Sequence, residues 1–121
     1  MVSAATWVIT AAVLAGTVLA FWHLRAAEGV ARPPGWAGLA HGLAGAVGLA
    51  LLLLAVRGPS RAVAEGAGSF GTIAAWLFGA ALVFGGAIWI RRRRGPMLTI
   101  LLHAVLAVTG WVVLIAWVSL G

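Results

Sequence analysis

Few residues in this chain can do chemistry, and three of them are histidines: His23, His41 and His103. An imidazole can ligate a metal, relay a proton or hydrogen-bond a neighbour, and its spacing along a helix decides which partners it can reach. Cysteine is absent, which excludes disulfides, thiolate metal sites and cysteine nucleophiles. The acidic residues are Glu28 and Glu65, and both fall between apolar runs. The paired carboxylates of hydrolytic chemistry are therefore missing, as are the intramembrane carboxylates of ion transporters. No glycine-rich phosphate loop or metalloprotease signature is present, so no hydrolytic or transferase site can be drawn.

The elements that must position the histidines follow from composition. Of the 121 residues 64% are hydrophobic and 8% charged, too little polar surface for a soluble globule of this size. Four apolar stretches, Ala4 to Leu24, Trp36 to Val56, Phe70 to Ile90 and Met97 to Leu120, each reach the ~20 residues a helix needs to cross the hydrocarbon. The gaps carry helix breakers: Pro33-Pro34, a Gly/Ser loop around Arg57 to Ser69, and Gly95-Pro96. The expected fold is all-α, a single integral membrane domain forming a four-transmembrane-helix up-down bundle over residues 1–121. The first stretch has no basic residue ahead of it and exceeds a signal-peptide core, so it reads as a retained helix. No internal repeat is apparent.

Charge sets an expected orientation. The first and third gaps, on one side of the bundle, hold Arg25, Arg32 and the run Arg91 to Arg94; the second holds Arg57 and Arg61. Six against two puts both termini outside, in the periplasm of a bacterial inner membrane. The arginines read as topology signals and lipid headgroup contacts, not as a nucleic-acid surface. Trp7, Trp22, Trp36, Trp89 and Trp117 lie near span ends as interfacial anchors, and Trp76 and Trp111, deeper, read as packing residues.

Counted from Trp36 and Met97, His41 and His103 lie at depths of about 7.5 and about 9 Å, level with each other on the cytoplasmic side. Polar rings within the hydrocarbon face the bundle and find partners there. Each sits on a stripe of small residues: Gly38, His41, Gly45 and Gly48 on the second span, and Thr99, His103, Ala107 and Gly110 on the fourth. The third span carries a comparable stripe, Gly71, Ala75, Gly79 and Gly86, with no histidine. His23 is nearer the headgroups.

With His41 and His103 as a candidate axial pair on separate spans, the chain resembles the small four-helix membrane cytochromes of the b type. The resemblance implies one bis-histidine haem b, its iron (the metal) held by His41 and His103, and its ring against Gly45, Gly48, Ala107 and Gly110. The terminal half of the bundle lacks His, Cys or internal Met for a second haem, so electrons would pass laterally to a quinone or a partner subunit. His23, Arg91 and Arg94 would be secondary, contacting a propionate or a quinone oxygen. The competing readings are histidines that only hydrogen-bond neighbouring helices, and a metal or proton site. The rival at the level of function is a cofactor-free accessory subunit of a larger respiratory or photosynthetic complex. Both readings expect the lipid bilayer and other membrane subunits, or further copies of the chain, as partners. Any enzymatic role would be that of a redox subunit of a larger oxidoreductase.

Overall fold

Pro33 and Pro34 hold the backbone extended ahead of the second helix, Pro34 at φ −66° and ψ 146°, so the helix can begin only at Gly35. The computed structural model describes residues 1–91 and 97–121. The four helices are α1 (Val2–Ala26), α2 (Gly35–Val56), α3 (Phe70–Ile90) and α4 (Met97–Leu120). All four are long and apolar enough to cross a bilayer. The protein is an all-α, multi-pass membrane bundle, as its hydropathy predicts. Arg94 and the rest of the 92–96 turn lie outside the described residues.

Neighbours in the chain are neighbours in space. The helices form a ring in which α1 meets α2 and α4, and α3 meets α2 and α4, leaving α2 and α4 on a diagonal. Each adjacent pair in sequence runs antiparallel. The ring closes through Trp111 on α4, whose indole N–H donates to the Thr10 hydroxyl on α1 at 2.9 Å. Three helical hydroxyls bond back onto their own turns, Thr6 to Val2, Thr17 to Val13 and Ser119 to Ile115.

The two hairpins, α1-α2 and α3-α4, are built to one pattern. In the first, Ile9 packs where a Cβ on Gly48 would sit, and His41 where a Cβ on Gly16 would sit. In the second, Phe78 does the same at Gly110 and His103 at Gly85. Ile9 to Gly16, Phe78 to Gly85, His41 to Gly48 and His103 to Gly110 are all seven residues apart. The correspondence extends along both helices: Ala5, Trp7 and Ala12 match Ala74, Trp76 and Ala81, and Leu52 and Val56 match Leu114 and Val118. Leu52 and Leu114, equivalent by this register, are the two largest fully buried side chains. Because α1 and α3 run in the same direction, the repeat is a parallel one.

Packing is confined to one end. The buried residues on the helices, including Ala5, Ile9, Leu52, Ala74, Phe78, Leu114 and Trp117, lie toward the termini, where Ala62 and Ala67 of the α2-α3 loop cover them. From residue 13 to 47 and from 82 to 109, no described residue is buried. The bundle therefore has a core in the half that holds the termini and none in the half that holds the first loop. Two tryptophans depart from expectation for this reason. Trp117 is buried in that core against Gly71, where an anchor was expected, and Trp76 is 77% exposed on the outer face, where a packing residue was expected. Its counterpart Trp7 is also 74% exposed.

Candidate functional site

His41 and His103 each follow the first residue of their helix by six positions, so helical rise sets both about 9 Å in from that end. They come from diagonal helices and meet: the ring centroids are 5.9 Å apart with the planes at 85°. Both side chains are half-buried and lie within the coreless half, seven residues from Gly48 and Gly110, the nearest buried residues on their own helices. This pair is the feature on which the two hairpins converge.

Each ring is also seated inside its own hairpin. His103 Nδ1 lies 2.7 Å from the Ala81 carbonyl oxygen on α3. A carbonyl can only accept, so Nδ1 carries the proton and Nε2 keeps its lone pair. The ring reaches that carbonyl because Gly85 has no side chain; a Cβ there would come within 3.0 Å of His103 Cε1. On the other hairpin a Cβ on Gly16 would come within 2.8 Å of His41 Cε1. His41 Nδ1, in contrast, is buried with no hydrogen-bond partner. A buried polar atom without a partner is uncommon and costly.

The other expected residues are distributed differently. Gly48 and Gly110 lie toward the packed end, covered by Ile9 and by Leu77 and Phe78, so both serve helix contact there. Gly45 faces Leu82 of α3 at ordinary contact distance, and Ala107 is half-buried. His23 is exposed, with Nδ1 3.3 Å from the Leu19 carbonyl oxygen, and joins no cluster with the other histidines. Arg91 ends α3 and is exposed. The residues that sequence reasoning missed are Gly16 and Gly85. The signal was available in the pairing of a His-to-Gly spacing of seven on one helix with an apolar-to-Gly spacing of seven on the helix before it.

The chemistry open to this arrangement is narrow. Two imidazoles that share one ion at about 2 Å each hold their centroids about 6 Å apart, close to the separation seen. No third His, Cys, Asp or Glu joins them among the described residues. A tetrahedral site of these side chains alone is therefore out of reach; water or an added group would have to supply the remaining donors. Comparison with family models, with curated proteins and with solved structures finds no match to this chain. The site must be argued from its own atoms.

His23 offers a clean control. Replacing it with Ala is expected to leave any bound chromophore unchanged, since it touches neither His41 nor His103. An absorption spectrum of the variant altered from wild type would show that the pair is misassigned.

Proposed function

We propose that this chain is a membrane electron-transfer subunit in which His41 and His103 are the axial ligands of one haem b. The observation that carries the reading is the meeting of two intramembrane imidazoles from diagonal helices at 5.9 Å. Two further features support it. A porphyrin would supply the further donors the protein lacks, and an apolar ring would suit the coreless half of the bundle in which both histidines lie. Bound there, the haem contributes one-electron iron chemistry. His41 and His103 hold the iron, and the Ala81 carbonyl keeps His103 in the tautomer whose Nε2 is a donor. One haem held at this depth would supply lateral electron exchange, with a quinone or a partner subunit, and would not span the membrane.

The arginine balance orients this end toward the cytoplasm of a bacterial inner membrane, with both termini periplasmic. A topology reporter fused at Gly121 is expected to show periplasmic activity; cytoplasmic activity would reverse the orientation.

A cofactor-free accessory subunit is the second reading, favoured by the seating of each imidazole against a glycine of its own hairpin. Colour separates the two. Bis-histidine haem b gives sharp visible bands that move on dithionite reduction, and protein purified colourless from haem-competent cells would leave the accessory role.

A further inference from the structure

The repeat joins two observations that are unconnected in sequence: a histidine whose ring nitrogen is satisfied and a histidine whose ring nitrogen is not. His103 Nδ1 donates to the Ala81 carbonyl over the notch left by Gly85. In the register of the repeat, Ala81 corresponds to Ala12, Gly85 to Gly16 and His103 to His41. Gly16 and His41 meet in the first hairpin as Gly85 and His103 do in the second, with Ala12 one turn before Gly16, but His41 Nδ1 lacks a partner. We propose that the site is made of two equivalent imidazole cradles, Ala12 and Gly16 for His41 and Ala81 and Gly85 for His103, and that His41 Nδ1 donates to the Ala12 carbonyl as its counterpart does to Ala81.

Each cradle does two things. The glycine gives the ring room to lie against the neighbouring helix, and the carbonyl fixes the proton on Nδ1, leaving Nε2 as the electron-pair donor. The alanine carbonyl lies one helical turn before the glycine, on the same face, so one backbone segment supplies both. A Cβ at Gly16 or Gly85 would stand 2.8 or 3.0 Å from the ring's Cε1, so the ring would have to shift from its seat. Gly16 and Gly85 are thus positioning residues for the imidazoles, acting through shape alone. The cradles form within the hairpins whether or not a cofactor is present; the use of both Nε2 atoms on one iron rests on the haem reading above.

Nitrogen-15 NMR of histidine-labelled full-length protein, prepared without haem in nanodiscs at a pH where the rings are neutral, tests the cradles directly. The expected result is that both His41 and His103 are Nδ1–H tautomers in the wild type. Gly16→Ala should lose that tautomer at His41 alone and Gly85→Ala at His103 alone. Gly42→Ala and Gly86→Ala, at positions where a Cβ meets nothing within 4 Å, should change neither. A wild-type His41 in the Nε2–H form overturns the proposal without any substitution, so a variant that fails to fold does not protect it. Gly16→Ala or Gly85→Ala folded with both tautomers intact overturns it as well. Two Nδ1–H tautomers in a protein that never takes up haem would uphold the cradles and end the haem reading.

Discussion

Protein carrying His41→Ala or His103→Ala is expected to purify with haem reduced from about one per chain to near zero, or with the iron converted from low to high spin. The two substitutions should act alike, since each removes one of the two proposed ligands, and among the described residues no third His, Cys, Asp or Glu stands beside the pair to replace either. A pyridine haemochrome assay gives the stoichiometry, and the visible spectrum gives the spin state. Ligand loss must be separated from misfolding. Neither ring is part of the buried cluster around Leu52 and Leu114, so both variants should still insert and run as the wild type does in gel filtration. Stoichiometric haem in the double variant would remove the axial assignment outright.

Gly48→Leu and Gly110→Leu should be the most damaging substitutions to the fold, and again they should behave as a pair. A Cβ at Gly48 would stand 2.6 Å from Ile9 Cγ1 and 3.4 Å from the Ile9 backbone nitrogen, and one at Gly110 would stand 3.2 Å from Leu77 Cβ. Atoms close to or within the neighbouring backbone cannot swing aside, so the helices themselves must separate. Overpacking of this kind costs about 1–3 kcal/mol even where side chains can move. In a membrane, association depends on close packing and not on burial from water. Thermal stability in detergent should drop markedly for either variant and collapse for the two together. Gly79→Leu, where a Cβ meets nothing within 4 Å, is the matched control. Stability of Gly48→Leu equal to that of the control would show that the hairpins are not held at this contact.

Span limits were legible because a bilayer imposes a length, and Pro33, Pro34 and Pro96 mark where the helices cannot run on. The meeting of His41 and His103 was legible for a related reason: both sit a fixed number of residues from a helix start, and equal helical rise gives equal depth. What spacing cannot give is the identity of the neighbour across a face. Gly45, Gly48, Ala107 and Gly110 share stripes with the histidines, and a stripe looks the same whether a porphyrin or Ile9 lies against it. The same limit hid Gly16 and Gly85, whose importance comes from side chains on other helices. It also exchanged the roles of Trp76 and Trp117, because depth is readable from sequence and facing is not when a helix is apolar all round. The repeat was obscured by alphabet and by length. Membrane helices draw on few residue types, so matches such as Ala5 with Ala74 carry little signal alone, and the spacing from Ile9 to His41 exceeds that from Phe78 to His103 by seven residues.

Because each histidine is seated by a glycine on the helix made just before its own, the first hairpin can complete its half of the site while the ribosome is still making the second. His41 need not wait in the hydrocarbon for α4, because Gly16 leaves room for its ring as soon as α2 folds back. What then remains is the sideways meeting of the two hairpins, fastened on one side by the Thr10 and Trp111 bond. Assembly of this fold is in that sense a docking of two similar halves.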